Sequence, residues 1–277
     1  MKYLKKYTLQ RWVRAPEWLW GFVVTTALAL TAYLVNMIMT EPSPGSAWGI
    51  TYGTMAAVLI IGVALYGVRR RNLRIKVGRS HTWVQFHVYG GMLFLLFVFM
   101  HSGFRIPSGQ VTWWLWFCAI WITVSGWIGI ALQKWIPRVL TSGLAIEVVY
   151  ERIPELAAQI KEKAEQLIMT CTDPVREFYS KNIAAVLATP QTRLIYYFDI
   201  TGGAQSQLRQ FEYLRRVLSA EEQERLDHLE AMYKSKLELD AHYTLQKALR
   251  WWLYGHVPVS LILIGLLLVH LYSVFYY

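Results

Sequence analysis

The 277-residue chain is 55% hydrophobic, contains 13 Trp and 17 Tyr, and has a formal net charge of +10. The placement of that charge excludes a nucleic-acid surface: residues 134–250 hold 16 basic and 16 acidic side chains, and the remainder 12 basic and 2 acidic. Eleven of those 12 cations form two clusters beside long apolar runs, Lys2, Lys5, Lys6, Arg11, Arg14 and Arg69, Arg70, Arg71, Arg74, Lys76, Arg79, which is how an integral membrane protein marks its cytoplasmic loops.

In chain order, five segments are long and apolar enough to span a bilayer: Trp18–Met39, Trp48–Val68, Thr82–Phe104, Val111–Gln133 and Trp251–Phe275. None contains Lys, Arg, Asp or Glu, and tryptophans crowd their ends (Trp18, Trp20, Trp48, Trp113, Trp114, Trp251, Trp252) as an interfacial belt does. The first is too long for a signal-peptide core and is expected to be a mature span. The charge clusters put the amino terminus, Arg69–Arg79 and residues 135–250 in the cytoplasm of a cell (inner) membrane. The loop Thr40–Ala47, the loop Arg105–Gln110 and the carboxyl terminus then lie outside. The expected domains are residues 1–134, with the first four helices, an insertion over 135–250, and the last helix over 251–277.

The insertion reads as mainly helical. Ile153–Cys171 has an apolar face in Leu156, Ile160, Ala164 and Leu167, and Pro174 suits the first turn of a second helix ending near Leu187. Thr192–Asp199 is a candidate strand, and Gly202-Gly203 a turn with no phosphate-loop pattern around it. Ser219-Ala-Glu-Glu222 has the form of a capping box opening a third helix to about Leu239. Pro258 is expected to kink or interrupt the lead-in to the last span. The fold class is thus an all-α integral membrane protein, five transmembrane helices plus a cytoplasmic helical insertion between the fourth and fifth.

Four histidines carry the chemistry. His87 and His101 on the third span are fourteen residues apart, and so are His256 and His270 on the fifth. Fourteen residues is close to four helical turns, so each pair shares one helix face and is separated by a rise of roughly 21 Å. The charge-derived topology makes the two spans parallel, which levels His87 with His256 and His101 with His270. A single intramembrane histidine is readily explained by an interhelical hydrogen bond. Two identically spaced pairs on parallel spans point instead to two haem groups, each held between two neutral imidazoles. Gly90 and Gly91 follow His87 on the same face and would let a flat macrocycle approach the backbone. Close helix packing is the alternative for both, and the expected role of Ser125, Gly126 and Gly129 on the fourth span. Arg79 and Arg250 are candidate partners for the propionates of the inner haem and Arg105 for those of the outer. His81, six residues before His87, is a candidate quinone contact. His228 and His242 read as solvated surface residues. Cys118 and Cys171 belong to no CxxC or CxxCH, which argues against c-type attachment, a zinc site and a cysteine-ligated iron–sulfur cluster.

The doubled HX13H pattern resembles that of the dihaem b-type cytochromes, both cytochrome b of quinol:cytochrome c reductases and ferric-reductase-like membrane domains. The resemblance covers two spans. It implies two haem b groups with His87, His101, His256 and His270 as axial ligands of iron. The Pro-Glu-Trp-Tyr motif of respiratory cytochrome b is represented only by Pro16-Glu-Trp-Leu19, ahead of the first span. Flavin, nucleotide and iron–sulfur motifs are absent from the sequence, so the expected role is an electron relay within a redox complex. Its expected partners are membrane lipid, the quinone pool and haem or iron–sulfur subunits. The alternatives are a ferric or metal reductase working with a separate flavoprotein, and a haem or metal transporter.

Overall fold

The computed structural model describes residues 16–40, 43–71, 78–143, 150–197 and 200–276, without the side chains of 70–71, 137–143 and 200–207. The clusters Lys2–Arg14 and Arg74–Lys76, and the side chains of Arg70 and Arg71, lie outside the described residues. The described chain is all-helical with no strand. Its main elements are α1 (Pro16–Met39), α2 (Ala47–Arg71), α3 (Ser80–His101), α4 (Gln110–Gly143), α5 (Ile153–Ile168), α6 (Asp173–Phe178), α7 (Ala184–Ala188), α8 (Ile200–Arg215) and α9 (Ala220–Tyr276). Five of them, α1 to α4 and α9, are long and apolar enough to cross a membrane, which suggests a multi-pass membrane protein.

The chain divides into two compact units, residues 1–128 with 254–277, and residues 129–253. In the first, Tyr33 of α1, Tyr52, Ala56 and Ile60 of α2, Phe94, Phe97 and Met100 of α3, Cys118, Ala119 and Ile122 of α4 and Leu263 of α9 form one buried core. Large apolar side chains on the opposite faces stay exposed, Leu28, Ile38, Val58 and Phe275 among them. In water that surface would drive association; against lipid tails it is the stable outer face.

α3 ends at His101, three residues short of the span expected to reach Phe104. The amide of Gly103 donates to Met100 O and that of Phe104 to Phe99 O, while Gly103 (φ 63°) and Phe104 (φ 57°) take left-handed backbone conformations. This is a Schellman stop, with the Phe104 ring stacked on Phe99 as its apolar contact. A left-handed Phe is strained; packing of its ring on Phe99 and on Tyr33 of α1 holds it there.

The second unit has its own core. Ile153, Ala157 and Ala164 of α5 are fully buried, as are Leu226, Leu229, Tyr233 and Leu237 of α9, a stripe at helical spacing. The helix expected from Pro174 to Leu187 is present as α6 and α7 joined by a π-helical stretch, Tyr179–Ile183. Four expectations are corrected here. Residues 194–197 of the candidate strand form a 3-10 turn, and 198–199 lie outside the described residues. α8 runs through Gly202-Gly203, so no turn forms there. Glu222 does not close a capping box on its own helix: its carboxylate accepts from the amide (3.3 Å) and hydroxyl (2.8 Å) of Thr172, ahead of α6. Of the kink or interruption expected at Pro258, the interruption does not occur: α9 continues across it, and the indole N–H of Trp121 donates to Gly255 O, three residues before the proline, at 3.2 Å.

His242 is also not a surface residue. It is 3% exposed and lines a cleft between α5 and α9 with Leu156, Gln159 and Lys163; His228 is exposed as expected. One turn before His242 the core holds a charged pair. Lys236 and Asp240 are fully buried and 2.7 Å apart. Lys236 Nζ also donates to Thr189 O at 3.0 Å, and Asp240 Oδ1 accepts the Gln191 amide at 2.9 Å. Burial lowers the Lys236 pKa and raises that of Asp240, each against the opposing pull of its partner.

Candidate functional site

The four histidines meet in two pairs. His87 of α3 faces His256 of α9 with ring centroids 6.4 Å apart, and His101 of α3 faces His270 of α9 at 6.3 Å. With an imidazole nitrogen about 2 Å from a bound metal and about 1 Å from its own ring centre, two rings gripping one ion from opposite sides hold their centroids about 6 Å apart. Both pairs have that spacing. Their planes are inclined at 62° and 73°, so neither pair is stacked.

Each ring must also present the right nitrogen. His87 Nδ1 lies 3.2 Å from Val63 O and His101 Nδ1 2.8 Å from Gly49 O, both backbone carbonyls of α2. A carbonyl only accepts, so Nδ1 carries the proton in each and Nε2 keeps its lone pair for a metal. Gly49 and Val63 are fourteen residues apart, the spacing of the histidines themselves. α2 therefore runs antiparallel to α3 in a register that repeats the same contact four turns on. His256 Nδ1 is 2.8 Å from Ser125 Oγ on α4. Among the described residues no hydrogen bond to His270 is found.

The two glycines after His87 have different surroundings. A Cβ on Gly90 would stand 3.1 Å from Val63 Cγ2, so the missing side chain serves the close packing of α3 on α2. A Cβ on Gly91 would meet nothing within 4 Å, leaving open space beside the His87 turn. A further close glycine, at the His101 ring, is one the sequence did not single out. A Cβ on Gly53 of α2 would lie 2.8 Å from His101 Nδ1, so only glycine admits that ring.

The basic candidates are dispersed. Arg79 immediately precedes α3 and Arg105 follows its carboxyl-terminal turn; both are exposed. Arg250, in the second unit, pairs with the Glu151 carboxylate and lies over the Tyr150 ring at 4.0 Å. Its charge is therefore already engaged by an acid. His81 is exposed and sits 3.2 Å from Gln85 Nε2.

Among the described residues no three or more His, Cys, Asp or Glu side chains gather around one point. Two imidazoles supply two ligands, so an ion held by either pair must bring its remaining ligands with it, as iron does in a planar tetrapyrrole. Ring spacing, tautomer and the open space at Gly91 fit such a group. The residues that sequence reasoning missed are Gly49, Gly53 and Val63, whose contributions are backbone carbonyls or an absent side chain, and Ser125, which it assigned to packing. Compared with protein-family models, curated proteins and solved structures, the chain matches none.

Proposed function

We propose that this protein is a membrane dihaem cytochrome b that relays electrons across the bilayer, one haem between His87 and His256 and the other between His101 and His270. The reading rests on one observation, the two histidine pairs at 6.4 and 6.3 Å carried by the same two apolar helices. Haem supplies reversible one-electron chemistry when bound. The chain's own residues do the rest. α2 carbonyls and the Ser125 hydroxyl hold three imidazoles with Nε2 free, which keeps those nitrogens basic and their rings fixed. Phe94, Phe97, Met100 and Leu263 surround the helices with apolar side chains that keep water out.

The exchange partners follow from what the chain lacks in sequence motifs: the quinone pool on one side, and a haem or iron–sulfur subunit on the other. By the distribution of Lys and Arg the His87–His256 pair lies toward the cytoplasm of a cell membrane, together with the amino terminus and residues 135–250. Arg79 and Arg105 are the cations available to propionates at the two levels, and His81 to a quinone headgroup. Arg250 is assigned no propionate, because Glu151 holds it.

The test is optical and redox spectroscopy of the purified full-length protein with a pyridine haemochrome assay. Two low-spin b haems per chain, reversibly reduced, are expected, and quinol should reduce them. Loose or substoichiometric haem would favour a transporter, and reduction by a flavoprotein but not by quinol would favour a metal reductase. A second expectation concerns Gly53→Ala. Displacing the His101 ring should weaken haem retention at that pair by at least about 10-fold, the scale for disturbing an outer-shell partner, with the His87–His256 haem retained; a haemochrome yield unchanged from wild type would contradict it.

A further inference from the structure

Ser125 is buried, 8% exposed, in the wall of the bundle. Its Oγ lies 3.1 Å from Ile122 O one turn back in α4, and 2.8 Å from His256 Nδ1 across to α9. Taken as the tautomer that leaves Nε2 free for iron, His256 carries its proton on Nδ1; the hydroxyl proton then goes to Ile122 O, which can only accept, and the oxygen lone pair faces the imidazole. His256 then donates Nδ1–H into that lone pair. The chain His256 Nδ1–H to Ser125 O–H to Ile122 O is a polarised relay of two hydrogen bonds in apolar surroundings, where each strengthens the other. The neighbouring Gly126 lies against the same ring: a Cβ there would stand in ordinary van der Waals contact, 3.8 Å from His256 Cε1.

The two histidine pairs are consequently unlike. In the His87–His256 pair both rings donate from Nδ1, to Val63 O and to Ser125 Oγ. In the other pair only His101 does, to Gly49 O, and no hydrogen bond to His270 is found among the described residues.

We infer that Ser125 is a positioning and potential-setting residue for His256, holding the His87–His256 site at a lower reduction potential than it would have without the hydroxyl. This rests on the dihaem reading above. An imidazole that donates a hydrogen bond from Nδ1 is a more basic ligand through Nε2, and a more basic ligand favours the ferric over the ferrous state. Removing the acceptor reverses that bias at one iron only.

The experiment is a potentiometric titration of the purified full-length protein, followed optically and by low-temperature electron paramagnetic resonance of the ferric haems. In Ser125→Ala both haems should be bound, one midpoint should rise, and the other should coincide with wild type. The resonance of the shifted haem should move with it as the His256 ring loses its fixed orientation. Placed in a His101→Ala background, the same substitution should shift the single remaining haem. Ser125→Thr, which keeps the hydroxyl, should restore the wild-type midpoint, and it answers the question if Ser125→Ala does not accumulate. A haem-replete Ser125→Ala protein with both midpoints unmoved would overturn the inference, as would Ser125→Thr with a midpoint raised as in a hydroxyl-free site. Absence of haem from the wild-type protein would instead end the dihaem reading, so the two failures are distinct.

Discussion

On the dihaem reading, His101→Ala is expected to yield a protein with one haem in place of two, and His270→Ala to remove the same one. His87→Ala and His256→Ala should remove the other. The geometry behind this is the pairing of rings at 6.3 and 6.4 Å: a six-coordinate low-spin iron needs both imidazoles, and loss of either leaves an open position and a weaker hold. The measurement is haem per chain by pyridine haemochrome, with reduced-minus-oxidised spectra to show which band is lost. Double variants sharpen it. His101→Ala with His270→Ala should retain one low-spin haem, whereas His101→Ala with His256→Ala should retain none in low-spin form. If the first double variant lost both haems while remaining folded, or if His101 proved equivalent to His256, the pairing would be wrong.

The second large effect lies in the other unit and concerns stability. Lys236→Met should destabilise that unit by about 3–5 kcal/mol, because it strands the Asp240 carboxylate in a fully buried site. Desolvation already outweighs the pairing for both groups, since the pKa of Asp240 is raised and that of Lys236 lowered. Replacing both, Lys236→Met with Asp240→Leu, should therefore cost far less than the single change. The residual loss comes from the Thr189 carbonyl and the Gln191 amide, which the pair satisfies in the wild type. Hydrogen exchange over residues 189–193 and the first half of α9 reads this locally. Faster exchange in the double variant than in Lys236→Met would show that the pair holds this segment by a net attraction rather than by mutual compensation. In the native fold the two charges fix one arrangement: Lys236 and Asp240 sit one turn apart on α9 and between them bind the chain that leaves α7.

Much of the architecture was legible because the signals are local. A run such as Ala47–Arg69 needs no neighbour to declare itself a span, since the cost of burying Lys, Asp or Glu in hydrocarbon is decided residue by residue. The spacing of His87 from His101, and of His256 from His270, is equally local, because a helix converts sequence separation directly into face and height. Where a second element decided the outcome the sequence misled. Glu222 has the position of a capping residue, but Thr172 from the α5–α6 turn reaches its carboxylate. His242 lies in charged sequence, yet the packing of α5 on α9 buries it.

The sequence alone determined the five apolar helices, the charge asymmetry between their loops, and four imidazoles in two equally spaced pairs. Tertiary structure decided what surrounds those imidazoles: Gly49 and Val63 carbonyls on two, a Ser125 hydroxyl on the third, no hydrogen bond on His270 among the described residues, and a missing Cβ at Gly53 to admit His101. The reason is physical. Every helical residue owns a carbonyl, and nothing in its side chain announces which one will meet a ring. That choice is made by the antiparallel register of α2 on α3 and by the face that α4 turns to α9, and both exist only once the helices have packed.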